Sequence, residues 1–386
     1  MCGSGAFFFR ATGHGLRASG HELVLGSGAF FICGQWAVDS AQLAVEVRAD
    51  AEGPVSRGSS RLMSLILPPA LRPGDTIAII PTARAITVEE LRDGIAMAES
   101  WGLKVKLGAG IGRKHFQQAG TALERAADLQ AAIQDPAVKA IWCARGGYGT
   151  VRLMEHIDLS PLLKNPKWIV GFSDVTVLHN ALHNLGISTL HAQMPHNIGV
   201  KTAECVETLR RALFGELLQI EATGSGPRAT GSISDNEQRT TDNRPGTCEA
   251  ELIGGNLSLL YALRGTPYDI DPRGKILFIE DLDELLYHMD RMVMNLQLSG
   301  WFKELAGLVV GGMADMHDRN PADPFGQSAE AIIAQAVAPC TYPVCYGFPA
   351  GHIPDNRALV LGQKAKLSVT ASGATLVYNV PTNARS

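Results

Sequence analysis

No charge of one sign dominates this 386-residue chain: 34 Lys plus Arg stand against 38 Asp plus Glu, for a formal charge of −4. A phosphate backbone would meet no basic field, so a dedicated nucleic-acid binder is disfavoured and small molecules or peptides are the expected partners. The seven cysteines, Cys2, Cys33, Cys143, Cys205, Cys248, Cys340 and Cys345, form no C-x-x-C pair and are odd in number. Neither a zinc cage nor a disulfide framework is indicated, and a reducing compartment is expected. No run reaches the ~20 apolar residues of a membrane span. The most apolar stretch, 23–38, is broken by Gly26, Gly28, Gly34 and Gln35, and Glu22 directly before it spoils a secretory signal. Neither G-x-G-x-x-G nor G-x-x-x-x-G-K-[ST] occurs, so a nucleotide phosphate cradle is weakly supported.

Hydrophobic residues make up 46% of the chain and charged residues 19%, with 41 Gly and 20 Pro, the composition of a compact protein of about two or three domains. Residues 1–62 do not read as a domain. They carry the near-repeats Ser4-Gly5-Ala6-Phe7-Phe8 and Ser27-Gly28-Ala29-Phe30-Phe31 without sustained periodicity. They are expected to be a disordered or non-native leader, with Met63 as the natural start.

From there strands and helices alternate. Thr76-Ile77-Ala78-Ile79-Ile80 has the length of a buried strand, and Thr87 with Glu90 forms a capping box before Leu91, Ile95 and Ala98, with Gly102 as the stop. Further buried strands are expected at 138–142 and 168–172, the second followed by a helix over Leu178, Ala181, Leu182 and Leu185. Such alternation implies a parallel sheet. Residues 222–248 turn polar and read as a linker or mobile loop. The strand pattern then resumes at Leu252-Ile253, at Ile276-Leu277-Phe278-Ile279 and at Leu308-Val309-Val310. The division expected is an N-terminal domain over 63–221 and a C-terminal domain over 249–386.

Ligands of open α/β sheets sit beyond the carboxyl ends of the strands, and two predicted strands end on a reactive side chain. Ser173 follows the third strand in Gly171-Phe172-Ser173-Asp174. Its hydroxyl could attack a carbonyl, with the Asp174 amide stabilising the oxyanion; the rival reading is that Ser173 and Asp174 cap the helix. Glu280 closes its apolar run and could orient a histidine, or lie in a solvated turn. His352 falls in a Gly- and Pro-rich loop, free to reach a cleft or simply exposed. The turn Arg145-Gly146-Gly147-Tyr148-Gly149 lets backbone approach a ligand, its amides could complete an oxyanion hole, and Arg145 could pair a carboxylate or hold the loop. Cys143, in an apolar run, reads as a buried thiol. His179, His183, His191 and His196 raise a metal site, disfavoured because no glutamate accompanies the i, i+4 pair. Met289, Met292, Val293 and Leu296 read as the buried stripe of a helix.

Together these segments resemble the LD-carboxypeptidases, or muramoyltetrapeptide carboxypeptidases. The likeness runs from about Leu71 to the last strand and rests on Arg72-Pro73-Gly74-Asp75, Arg145-Gly146-Gly147-Tyr148-Gly149, Gly171-Phe172-Ser173-Asp174, Gly254-Gly255-Asn256-Leu257, Glu280-Asp281, and Gly351-His352 with Asn356 and Gly362. The resemblance implies a catalytic triad of Ser173, Glu280 and His352, an oxyanion hole from Asp174 with Gly146 or Gly147, and substrate contacts at Arg145, Tyr148 and Asn256. It also implies a Rossmann-like domain plus a smaller α/β domain, a murein peptide substrate, no cofactor or metal, a cytoplasmic location and a homodimer. One branch of the family resembles microcin-immunity peptidases that cleave aminoacyl nucleotides. Glu280-Asp281-Leu282-Asp283-Glu284 leading into Tyr287-His288-Met289-Asp290-Arg291 looks more like the cell-wall branch. A two-domain binding protein without catalysis is the alternative from another class.

Overall fold

Alternating apolar residues build two sheets in this α/β chain, whose computed structural model describes residues 65–223 and 242–378. All of them lie in one compact unit, Arg61–Ser386. The expected leader lies outside the described residues. The first sheet contains β1 (Thr76–Ile80), β2 (Lys104–Leu107), β3 (Val138–Cys143), β4 (Trp168–Gly171) and β5 (Thr189–His191), all parallel. Its parallel strands lie in the order β2-β1-β3-β4-β5, the doubly wound, flavodoxin-like variant of the expected Rossmann-like sheet.

Period-two alternation explains why both faces are covered. Ile77 and Ile79 pack with Leu91 and Ala98 of α1 (Val88–Ser100) and Leu209 and Leu213 of α5 (Ala203–Leu213). Ala78 and Ile80 face the other way, onto Leu129 and Ile133 of α2 (Ala122–Gln134) and Leu178 and Leu182 of α4 (Thr176–Asn184). Each fully buried Leu or Ile contributes about 1.5–3 kcal/mol. α1 begins on the expected box, Thr87 and Glu90 each accepting from the other's backbone N–H; Thr121 and Glu124 repeat the device at α2.

Among the described residues the second sheet has seven strands: β6 (Gln219–Thr223), β7 (Gly246–Asn256), β8 (Ile276–Leu282), β9 (Gly307–Ala314), β10 (Val344–Cys345), β12 (Lys364–Thr370) and β13 (Gly373–Tyr378). β7 serves two partners along its length. Its first half pairs antiparallel with β12 and its last five residues pair parallel with β8. Met289, Met292, Val293 and Leu296 are buried as expected, on a helix over Leu286–Leu298 that covers Leu277 and Ile279 of β8.

The bounds of the polar stretch differ from the expected 222–248. β6 continues through Thr223, burying Ile220 and Ala222, and β7 starts at Gly246; residues 224–241 lie outside those described. The two sheets also exchange strands, so they do not divide where chain order divides them. β6, which precedes the polar stretch, joins the second sheet, and β11 (Leu359–Leu361), from near the C-terminus, pairs antiparallel with β5 of the first.

Candidate active site

β4 ends at Gly171, Phe172 follows it, and the next residue, Ser173, has φ of +64°. Left-handed backbone at a non-glycine residue costs of order 1–3 kcal/mol and persists only where the surroundings hold it. A short 3-10 turn, Ser173–Val175, runs directly into α4, which leaves the Ser173 side chain partly exposed at the strand's carboxyl end. The capping alternative does not fit, because neither of these two helical starts shows a side-chain cap bond.

Asp174 is turned inward. It is fully buried, and its Oδ2 accepts the Thr150 N–H at 2.8 Å. Burial pushes its carboxyl pKa upward, against hydrogen bonds from Thr150 and Gly149 and the nearby Arg125 charge. Arg125 is itself buried and donates to the carbonyls of Gly120 at 2.9 Å and Gly149 at 3.3 Å. These two side chains pin one end of the 145–149 glycine turn. The other end lies against the serine: a Cβ on Gly146 would sit 3.3 Å from Ser173 Cβ and 3.4 Å from its Oγ.

Strand parity aims Glu280. It shares parity with Ile276 and Phe278, which pack in the core common to both sheets, whereas Leu277 and Ile279 face the second sheet's own helices. The β8–β9 register shifts between Ile279 and Asp281, an irregularity of the kind that re-aims side chains near functional sites. Glu280 is fully buried, and its Oε2 accepts from His352 Nδ1 at 2.6 Å and from the His352 backbone N–H at 3.2 Å. Gly351 makes the approach possible. Its φ is +103°, and a Cβ there would fall 2.7 Å from both Cβ and Oε2 of Glu280.

The imidazole returns to the serine turn through Phe172, whose ring centroid lies 4.9 Å from that of His352. Burial opposes a charged His352 ring, but Glu280, through charge and hydrogen bond, and Asp281 outweigh burial and Lys201, so the net pKa is raised. The Nδ1 contact leaves Nε2 as the nitrogen free to act on a proton.

The remaining predicted residues divide. Arg145 reaches Ala85 O and Glu90 Oε1, both at 3.5 Å, at the edge of a cleft, and Tyr148 is exposed. Asn256 is buried: it donates from Nδ2 to Asp281 at 2.8 Å and accepts the Leu259 N–H, capping the short helix Leu257–Ala262. Its backbone N–H donates to Thr176 Oγ1 at 3.0 Å, tying β7 to α4 just behind Ser173. Asn256 thus joins the two halves of the site.

Cys143 is fully buried, with its thiol pushed up to about 12 by burial, and so is a poor nucleophile. The histidines weighed as metal ligands have separate duties. His179 Nε2 lies 2.9 Å from Gly171 O, and His183 Nε2 lies 2.5 Å from Glu251, which Lys275 also reaches. His191 is buried beside the rings of Phe172 and Phe278. Among the described residues no group of three or more His, Cys, Asp or Glu is placed to hold a metal ion.

Several residues around the site escaped the sequence reading. Arg125 carries no motif, and Phe172 and Asp174, although inside the Gly171-Phe172-Ser173-Asp174 segment, gave no sign of what their side chains touch. Only the acidic residue right after a buried strand and a serine hinted at an inward carboxylate.

A strained serine at a strand-to-helix turn, glycine backbone beside it and a buried carboxylate–imidazole pair are the groups that acyl-transfer hydrolysis uses. Residues 77–192 match the LD-carboxypeptidase N-terminal domain and residues 249–367 the LD-carboxypeptidase C-terminal domain. The chain is 36% identical over 316 residues to a probable murein peptide carboxypeptidase of Bacillus subtilis, covering 81% of this chain and 95% of that one. The crystal structure of a muramoyltetrapeptide carboxypeptidase from Oxalobacter formigenes superposes with a TM-score of 0.69 at 28% identity, covering 80% of this chain and all of that one. The Escherichia coli microcin C7 self-immunity protein MccF is 24% identical over 325 residues, covering 78% of this chain and 92% of its own. The chain belongs to the LD-carboxypeptidase family, and is accordingly a peptidase with that family's two-domain fold.

Proposed function

We propose that this protein is a serine carboxypeptidase that hydrolyses the amide between an L-configured centre and the terminal D-alanine of murein tetrapeptides. The observation that carries the reading is the Glu280–His352 contact at 2.6 Å, set against the ring of the residue before Ser173. In this reading 63–221 supplies the nucleophile and 249–386 the acid–base pair. His352 Nε2 takes the Ser173 proton, while Glu280 fixes the Nδ1–H tautomer and stabilises the imidazolium. The serine oxygen adds to the scissile carbonyl, and the oxyanion is held by the amides of Asp174 and of Gly146 or Gly147. His352 then protonates the leaving amine. Water, activated by the same imidazole, clears the acyl-enzyme.

Kinship with a murein peptide carboxypeptidase supports the substrate, together with the Glu280–Glu284 segment noted above. A cytoplasmic role in recycling cell-wall peptides, performed as a homodimer, is carried over from the family resemblance; the five cysteines among the described residues are all free, as a reducing compartment leaves them. The test is to incubate the protein with a murein tetrapeptide in the presence of a chelator and to measure D-alanine by mass spectrometry. Release that disappears in Ser173→Ala is expected. No release from folded protein, with cleavage of an aminoacyl nucleotide instead, would transfer the assignment to the microcin-immunity branch, of which MccF is a relative.

A further inference from the structure

At Arg145, the first residue of the glycine turn, the surface opens into a cleft of about 330 Å³. Arg84, Arg113, Lys114 and Arg145 line it, and Glu90 is its one acidic wall residue. The ion pairs leave a surplus of positive charge. Glu90 reaches Arg145 only at 3.5 Å, and Glu124, outside the lining, holds Arg113 at 3.0 Å. Four cations thus face two carboxylates. Their field extends to His196, whose pKa is lowered first by burial and then by Arg145, with Arg84 adding to it and Glu90 opposing.

The cleft is joined to the nucleophile by backbone. The Arg84 side chain lies over Gly147, where a Cβ would fall 2.3 Å from its Cδ, and Gly146 lies over Ser173. One peptide unit, about 3.8 Å between Cα atoms, separates the two contacts. A peptide bound at Ser173 therefore reaches the cleft with a group several bonds from its scissile amide. The C-terminal carboxylate is only two bonds from the scissile nitrogen, so it stays on the serine's side of this turn.

We infer that the cleft is a carboxylate subsite in which Arg84 and Arg145, backed by Arg113 and Lys114, hold a carboxylate of the peptide other than the C-terminal one. The inference rests on the peptidase reading above. A guanidinium presents a planar pair of donors that matches a carboxylate, and in a concave site such bonds compete better with water than on open surface.

The experiment compares kcat/KM for a murein tetrapeptide with that for the same peptide whose non-terminal carboxylates are converted to carboxamides, in wild type and in Arg84→Gln. Wild type is expected to favour the charged peptide by about 10- to 100-fold. In Arg84→Gln the ratio should fall toward one, with Arg84→Lys between, because lysine keeps the charge and loses the fork. Equal rates on both peptides in wild type, or an undiminished ratio in folded Arg84→Gln, would overturn the subsite. If wild type released no D-alanine from either peptide, the peptidase reading itself would fall. Calorimetric binding of the same two peptides would then decide the subsite separately, with the same ratio expected in affinity and equal affinities refuting it.

Discussion

Glu280→Gln changes one atom in a place where neither orientation of the new amide is comfortable. Glu280 Oε2 accepts two bonds from His352, while Oε1 is buried without a hydrogen-bond partner. If the amide oxygen takes the Oε2 position, both bonds survive but an NH2 group is buried without an acceptor, a cost of about 1–3 kcal/mol. If the NH2 takes it, the amide faces two N–H donors and drives the imidazole to carry its proton on Nε2, unable to accept from Ser173. In both cases the negative charge that stabilises the imidazolium is gone, worth about 4 kcal/mol for unit charges at ~4 Å in a medium of intermediate dielectric. The expected loss in kcat is about 10²- to 10⁴-fold. The pH profile supplies a second readout. Glu280 leads the influences that raise the His352 pKa, and burial lowers it. The base must be neutral to act, so wild-type kcat/KM falls as pH drops through the raised pKa, and in Glu280→Gln this acid limb moves to lower pH. D-alanine release measured from about pH 5 to 9, with a thermal melt of each protein, reads both effects. Activity within threefold of wild type and an unmoved acid limb would refute the role given to Glu280.

Ser173→Ala should lose several orders of magnitude in turnover with the fold intact. Ser173→Gly should be equally inactive yet melt at or above wild type, because glycine accepts the +64° backbone without strain; a Tm several degrees lower would contradict this. Asp174→Ala strands the buried Thr150 N–H and should cost about 1–3 kcal/mol in chemical denaturation while lowering kcat, with Asp174→Asn recovering most of both; equal stability of all three proteins would show that the carboxylate does not hold the turn. Gly351→Ala places a methyl 2.7 Å from Glu280 Oε2 and should cost ~10²-fold or more in kcat, which near-normal turnover would disprove. Gly255→Ala puts its Cβ 2.6 Å from Thr176 Oγ1 and should lower kcat without moving the acid limb, since the Glu280–His352 pair is untouched; a shifted limb would count against that separation.

Legibility followed local physics. The strands at 76–80, 138–143 and 168–171 were visible because each is a short apolar run closed by turn residues, and α1 because its capping box and buried face coincide. The crossing of β6 and β11 between sheets was not visible, since alternating apolar residues state that a strand has a buried face but not which neighbour supplies the other side. At the site, Ser173 and Glu280 stood out as reactive residues at strand ends. That Glu280 bonds His352 beside the serine turn did not follow from spacing, and it was the family resemblance that selected these three over the cap, the solvated turn and the exposed loop. Asp174 misled most, because an Asp after a Ser at a helix start has the composition of a cap. Its carboxylate instead turns inward to the Thr150 N–H, a partner 24 residues away in sequence that no local pattern announces.

The two halves of the site come from different sheets, and this makes their contact part of the chemistry. Ser173 and the glycine turn belong to the first sheet, and Glu280 to the second, with His352 held to it in the loop after β10. The serine half does not hold its geometry alone, because its strained backbone needs a packed surround. What brings the two halves together is a small set of close approaches. The Asn256 amide bonds Thr176 at the start of α4, Gly255 admits that side chain, and Phe172 meets the His352 ring. The exchanged strand β11 reinforces them, because it follows the His352 loop in the chain and pairs with β5, the strand next to β4. The backbone that carries His352 is thereby tied to the sheet that carries Ser173, so a displacement of one sheet against the other must strain β11 before it can separate the two residues.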